Sequence, residues 1–159
     1  GIAGQTLVAT ALGAGSVSRA RQLTRATGRA GLVTGAIIGV VFAIVGLFAG
    51  HLFSPTPHVQ ILIAVGMVAM GVFFPLQGWM MAIDGILIGA RDYRYLAGTC
   101  TLTAVVYIAL ILVLASIVTP IMPNDLSRTA MLWAAFNVVL MGGRGLFNGL
   151  RVRSDVWMK

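Results

Sequence analysis

The sequence predicts an all-α fold, a polytopic membrane helix bundle with about five transmembrane helices. Hydrophobic residues make up 58% of the 159 residues and charged residues only 9%, whereas about a quarter of a typical globular domain is charged. The mean hydropathy is +0.96. The apolar residues occur in runs about as long as the roughly 20 residues that a helix needs to cross a bilayer. A soluble fold would lack the polar residues to cover its surface, so we exclude that class.

Five apolar stretches follow one another along the chain. Residues 1–15 have the pattern of the end of a helix, and residues 31–53 form a span without a single charge. The later spans cover residues 59–88, 96–119 and 130–150. Because the chain begins inside an apolar helix and without an initiator Met, we expect it to be a piece of a longer protein.

The segments between the spans differ sharply in basic residues, which predicts an orientation. By the positive-inside rule, the basic segments and the C-terminus face the cytoplasm, and we expect the plasma membrane. Residues 16–30 are expected to be a loop that fixes this topology, and their arginine spacing also fits a short basic helix on the inner leaflet. One set of alternate segments holds Arg19, Arg21, Arg25, Arg29, Arg91, Arg94, Arg151, Arg153 and Lys159, and the other set holds Arg128 alone.

Several functional classes are excluded by composition. The net charge of +7 would suggest nucleic acid in a soluble protein, but here the basic residues lie between membrane spans. The chain has one cysteine, two histidines and no glutamate, which predicts neither a metal site nor a disulfide. No paired catalytic side chains and no phosphate-binding loop are recognisable, so we expect no enzyme and no cofactor.

Polar residues inside the spans are the candidates for function, because they usually face a bundle interior or a cavity. Gln5 in the first stretch and Gln77 in the third are two of them. Pro75 has no N–H, so the carbonyl of Gly71 loses its helical partner and we expect a kink in the helix. Asp84 lies roughly 37 Å along the third span, which places it near the cytoplasmic surface.

Asp84 has three interpretations. We expect an acid at the helix end that pairs with Arg91 or Arg94. The alternatives are a carboxylate that binds a proton or a cation, and an ion pair with Arg144 in the fifth span.

The fifth span carries a polar face. Asn137, Met141, Arg144 and Asn148 are separated by four, three and four residues, a spacing that places them on one side of a helix. A single arginine near the end of a span can extend to the headgroups, but two asparagines on the same face favour contact with a neighbouring helix or a cavity. Glycines around them permit the close approach of another backbone.

These residues together resemble MATE (multidrug and toxic compound extrusion) transporters, particularly the DinF branch. Residues 2–8 and 12–15, with the arginine-rich segment after them, resemble the end of the second helix of the family's C-terminal lobe. Residues 75–78 and 84–92, which include the sequence Asp-Gly-Ile-Leu-Ile-Gly-Ala, are similar to the fourth helix of that lobe. Arg144 and residues 151–157 are similar to the last helix and tail.

The resemblance implies that residues 1–159 form part of the C-terminal six-helix lobe of a twelve-helix transporter. Such proteins export amphipathic or cationic drugs and metabolites in exchange for H⁺ or Na⁺. The coupling ion is expected at the N-terminal lobe, and helices one to seven would be the missing partner of this chain. No position of this sequence matches the family's coupling acid.

Two other functions stay open from the sequence. A lipid-linked oligosaccharide flippase of the same superfamily would be expected to carry more cationic residues in its cavity, and only Arg144 lies within a span. A membrane scaffold subunit without transport activity predicts a start codon close to Gly1, so the upstream DNA distinguishes it from a transporter.

Overall fold

The described part of the chain is almost entirely helical. The structure, a computed structural model, describes residues 1–158, with Asp155 described by its backbone only, and within that range it contains no strand. Four helical stretches are long and apolar enough to cross a membrane, and a shorter apolar helix precedes them. The prediction of an all-α polytopic membrane bundle is therefore confirmed. The helices are α1 (Ile2–Gly13), α2 (Val17–Phe48), α3 (Pro57–Gly89), α4 (Tyr93–Val113), α5 (Asp125–Ala135) and α6 (Gly142–Arg153).

The last two spans each contain a stretch of wider helix. A π-helical segment, Leu114–Val118, and a short 3₁₀ turn extend α4 to Ile121. A second π-helical segment, Phe136–Met141, joins α5 to α6, so that Asp125–Arg153 forms one continuous span.

Helix α2 corrects the expectation of a loop at residues 16–30. The helix begins at Val17 and continues without a break to Phe48, because the basic segment consists largely of Arg, Ala, Gln and Leu, which favour helix. Its 32 residues extend about 48 Å, more than the roughly 30 Å of the hydrocarbon core. The basic half of α2 therefore projects beyond the apolar half as an extension of the same helix.

Glycines bring α2 and α3 into backbone contact. Three of them, Gly31, Gly35 and Gly39, lie four residues apart on one face of α2. Small residues at this spacing let two membrane helices approach closely. A Cβ added at each of the three would overlap a backbone carbonyl oxygen of α3, namely those of Gly78, Phe74 and Gly71 in that order.

Pro75 lies inside α3, and the helix is continuous through it. The carbonyl of Gly71, which has no N–H partner at Pro75, faces the Cα of Gly39 on α2. A Cα–H···O contact of this kind contributes about 0.5–1 kcal/mol. The packing of α2 against α3 thus covers the backbone oxygen that the proline leaves without a helical partner.

The largest buried apolar cluster lies at the end of the bundle that carries the basic residues. It joins α1, the start of α2, the second half of α3 and the C-terminal segment. Its members are Val8, Ala11, Ala20, Ile83, Ile86, Leu87 and Trp157.

Candidate functional site: a polar network between three helices

Asp84 on α3 is the centre of a polar network inside the bundle. Its Oδ2 accepts a hydrogen bond from Arg144 Nη2 at 2.5 Å, and its Oδ1 accepts one from Asn148 Nδ2 at 2.7 Å. Only 9% of Asp84 is exposed, and Asn148 is completely buried. Arg144 and Asn148 are four residues apart on α6, so one helical face supplies both donors. The structure thus brings Asp84 and Arg144 together as an ion pair.

The expected pairing of Asp84 with Arg91 or Arg94 is wrong. Arg91 lies in the turn after α3 with a positive φ of 61°, and Arg94 is exposed in the first turn of α4. Both residues follow the end of α3, whereas Asp84 is buried more than a turn earlier and faces α6. The partner of the acid is therefore set by the packing of α3 on α6 and not by proximity in sequence.

Trp79 makes that packing possible because glycines receive its ring on two sides. On the α6 side, a Cβ at Gly149 would lie 2.6 Å from the ring, and one at Gly145 would lie 3.6 Å from it. On the α2 side, a Cβ at Gly28 would lie 3.3 Å from the indole nitrogen. The glycines that the sequence suggested for close backbone approach thus receive an aromatic side chain in this part of the bundle.

Helix α4 joins the network through Thr99. Its hydroxyl donates to Asn148 Oδ1 at 3.0 Å, and it also lies within 3.2 Å of the Tyr95 carbonyl and 3.1 Å of the Leu96 carbonyl. One hydroxyl proton serves one acceptor at a time, so the two carbonyls are alternative partners. Thr99 is 7% exposed. Thr99 is not among the residues that the sequence predicted, because a threonine in an apolar helix often bonds only to its own backbone.

A second polar contact links α3 to the π-helical segment. Gln77 Nε2 donates to Asn137 Oδ1 at 2.6 Å, and Asn137 Nδ2 donates to the Trp133 carbonyl at 2.8 Å. Asn137 is completely buried. Gln77 and Asn137, which were selected independently from two spans, are therefore direct partners.

A π-helical segment interrupts the polar face that the sequence predicted, but the polar residues of that face all contact α3. The four-residue face assumed a uniform α-helix, but Phe136–Met141 is wider and rotates the residues on either side of it relative to each other. Asn137 and Asn148 still both face α3. Met141 is half-buried and contributes no polar group to the network.

A third polar contact lies at the basic end of the network, between the start of α4 and the end of α6. Arg151 Nε donates to Asp92 Oδ2 at 2.7 Å, and its guanidinium lies 4.6 Å from the centroid of the Tyr95 ring. The Tyr95 hydroxyl donates to the Phe147 carbonyl at 2.7 Å. These residues are not among those that the sequence predicted, although opposite charges at the ends of two spans were a usable signal.

Gln77 also lines a cavity on the opposite side of α3. The cavity lies between α1, α2 and α3 and has a volume of about 580 Å³. Its lining is mostly apolar, with Thr27 and Thr34 as further polar residues. Gln5 lies apart from the polar network, where its backbone packs against Gly89. Gln77 is thus the one predicted residue that belongs both to this cavity and to a described polar contact.

Arg144 retains one donor without a partner. Its Nε is buried and has no hydrogen-bond partner among the described residues, and a buried donor left unpaired costs about 1–3 kcal/mol. Within residues 1–158 no three His, Cys, Asp or Glu side chains are grouped closely enough to hold a metal ion. The network is therefore organised around the ion pair of Asp84 and Arg144 with amide and hydroxyl groups, and a second ion pair, that of Asp92 and Arg151, lies at its basic end.

Comparison with known proteins points to a transporter. No family model matches the chain, and no solved structure matches it. The chain is 28% identical over 115 residues to Protein DETOXIFICATION 42 from Arabidopsis thaliana, a MATE-family protein. The likeness supports the MATE family. It gives no support to the DinF branch in particular, and it favours a multi-pass membrane transporter over an enzyme.

The alignment covers a much larger share of this chain than of the relative. The aligned residues cover 72% of this chain but 22% of the relative. The chain thus matches about a fifth of the length of the relative.

Proposed function

We propose that this chain is part of the C-terminal lobe of a secondary active MATE exporter, which expels amphipathic or cationic compounds in exchange for H⁺ or Na⁺. The observation that carries the proposal is the likeness to Protein DETOXIFICATION 42 over 72% of the chain. The name of that relative refers to detoxification, and we extend export of foreign or toxic small molecules to this chain. We place it in the plasma membrane with its C-terminus in the cytoplasm, on the basis of its basic segments.

The cavity between α1, α2 and α3 is our assignment for the exported compound. Its volume of about 580 Å³ falls in the range of roughly 300–1,000 Å³ that small-molecule sites occupy. An apolar wall with a few polar side chains suits an amphipathic molecule. Gln77 is the polar group that contacts the compound in this proposal, and its bond to Asn137 would transmit occupancy of the cavity to the last span.

The ion pair of Asp84 and Arg144 has a positioning role in this proposal. Both oxygens of the carboxylate accept a hydrogen bond from α6, and the adjacent guanidinium of Arg144 repels a further cation. The network instead holds α3, α4 and α6 as one block. Exchange of H⁺ or Na⁺ is assigned to the N-terminal lobe, as the family resemblance implies.

Proteoliposomes test the proposal directly. The protein encoded by the complete open reading frame that contains these residues is reconstituted. Extrusion of the fluorescent cation ethidium is then followed, first under an imposed H⁺ gradient and then under a Na⁺ gradient. We expect extrusion under at least one gradient, with Gln77→Ala lowering its rate at least fivefold. Gln22→Ala, a matched change at an exposed position of α2, should leave the rate within twofold of the wild type. Absence of gradient-driven extrusion in folded protein would contradict the proposal.

A further inference from the structure

A small groove between α2 and α6 has the features of a binding site for an anion. It has a volume of about 250 Å³, and three arginines line it, Arg25, Arg29 and Arg153. Trp79 and apolar side chains that include Leu32 complete its wall. The three arginines are exposed, so their charges are accessible at the mouth of the groove.

The described part of the chain leaves these three charges largely unbalanced. Asp155, the fourth acid of the sequence, carries one negative charge and so balances at most one arginine. Among the side chains that the structure describes, no carboxylate pairs with Arg25, Arg29 or Arg153. The other three acids have partners elsewhere: Asp84 with Arg144, Asp92 with Arg151, and Asp125 with Arg128 and His58.

The indole of Trp79 adds a directed donor to the groove. Its Nε1 has no hydrogen-bond partner among the described residues, and it lies on the side of the ring that faces Gly28. Gly28 on α2 and Gly149 on α6 hold the ring by direct contact, which fixes the direction of the N–H. An oxygen acceptor in the groove would satisfy this donor and neutralise the guanidiniums together.

The position of the groove along the helices indicates where its ligand comes from. Arg25 and Arg29 lie where the basic half of α2 gives way to the charge-free half, and Arg153 is the last residue of α6. Both places are ends of apolar spans, where we expect the lipid headgroups to lie. Basic pockets between membrane helices at such a surface favour anionic lipid headgroups.

We propose that this groove binds the phosphate group of an anionic phospholipid, with Arg25, Arg29 and Arg153 as its charge partners and Trp79 Nε1 as a donor to a phosphate oxygen. The acyl chains of the lipid lie along the apolar side chains that follow Arg29 on α2. The lipid then joins α2 to α6 on the side of Trp79 away from the polar network. This inference requires only the membrane bundle and is independent of the transport activity proposed above.

Native mass spectrometry of the full 159-residue chain in detergent tests the site. Phosphatidylglycerol and phosphatidylcholine of identical acyl chains are titrated, and bound lipid per chain is counted. Each basic residue near an anionic surface is worth about fivefold in affinity, so Arg25→Gln/Arg29→Gln/Arg153→Gln should weaken phosphatidylglycerol binding at least tenfold. Trp79→Phe, which keeps a ring but removes the N–H, should weaken it severalfold. Binding of phosphatidylcholine should be weak in every variant.

A control with equal charge loss separates the groove from general basicity. Arg19→Gln/Arg91→Gln/Arg94→Gln removes three charges from the same end of the bundle and should keep binding within twofold of the wild type. Equal weakening in this control, or unchanged binding in the groove variant, would overturn the proposal. If the triple variant loses the circular dichroism signal of its helices, phosphatidylglycerol binding is compared instead between the single variants Arg29→Gln and Arg94→Gln.

A competition experiment identifies the source of the phosphate. Millimolar inorganic phosphate should leave bound phosphatidylglycerol unchanged, since the apolar part of the groove holds only a lipid. Full displacement by inorganic phosphate would show a site for the free anion and would overturn the assignment to a lipid.

Discussion

Asp84 and Arg144 lie in helices that cross a membrane, where an isolated charge is costly. The two charges offset this cost because they neutralise each other, and Asn148 donates a hydrogen bond to the second carboxylate oxygen. A buried pair of this kind adds little net stability compared with apolar residues, but the loss of one partner is expensive because the other charge is then left alone. The main consequence of the pair is that it fixes how α6 packs against α3.

Substitutions at Asp84 and Arg144 are therefore expected to be coupled. Asp84→Ala and Arg144→Ala should each lower the free energy of unfolding by about 3 kcal/mol, and the double variant should be no less stable than the poorer single variant. Thermal unfolding in detergent, followed by circular dichroism, gives the comparison. Arg94→Ala, at an exposed position, is the control and should change little. Additive losses in the double variant would show that the two side chains act independently.

Single residues of the site could be selected from the sequence, but most of their partners could not. Asn137, Arg144 and Asn148 were recognisable because polar groups at membrane depth are rare. Their partners depend on how each helix is rotated about its axis. The π-helical segment Phe136–Met141 alters that rotation, and no residue within it predicts a wider turn of helix. Arg91 and Arg94 were therefore assigned to Asp84 because they are nearer in sequence.

Helices α2 and α3 pack closely because glycines without side chains face each other between them. Apolar side chains gain nothing by leaving lipid for the protein interior, so close contact between backbones becomes the main source of attraction. The stripe of Gly31, Gly35 and Gly39 supplies that contact along about two turns of α2. The glycines were visible in the sequence, but the surface that they meet on α3 was not.

Substitution within this stripe tests its role. Gly35→Ala would place a methyl group against the Phe74 carbonyl and the Cα of Pro75, and overpacking of this kind costs about 1–3 kcal/mol. Gly98→Ala on α4 is the matched control, because nothing lies within 4 Å of the added carbon. We expect a lower unfolding temperature for the first variant and an unchanged or slightly higher one for the second. Equal behaviour of the two variants would exclude a packing role for the stripe.

The bounds of the elements were predictable where charge or proline marks them. Helix α3 begins at Pro57, close to the predicted residue 59, and ends one residue beyond the predicted limit. The start of α2 was predicted too late because hydropathy marks the edge of the membrane and not the end of the helix. A basic segment made of helix-forming residues continues the hydrogen-bonded turns into water.

The molecule as a whole has a basic end and an end with few charges. The turn after α3, the start of α2 and the end of α6 all lie at the basic end, and Lys159, the last basic residue of the C-terminal segment, lies outside the described residues. The opposite end carries Asp125 with its partners His58 and Arg128. Such an asymmetry sets the direction in which a bundle inserts into a membrane.

This orientation predicts which residues an external reagent reaches. In a Cys100→Ala background, a cysteine at Ser54 should react with a membrane-impermeant thiol reagent on whole cells, and one at Ser18 should not. After the cells are opened, position 18 should react as well, which shows that it is accessible from the cytoplasm. Labelling at 18 with protection at 54 on whole cells would reverse the orientation.

The facing glycines of α2 and α3 also limit how this protein can change over evolutionary time. A Cβ at Gly71 would lie 2.6 Å from the backbone oxygen of Gly39. A Cβ at Gly39 would in turn overlap the backbone oxygen of Gly71. Since each partner atom belongs to the backbone, no mutation at one position makes room for a larger residue at the other. Methods that find contacts from correlated mutations rely on such compensation, and they would have no signal for this close approach.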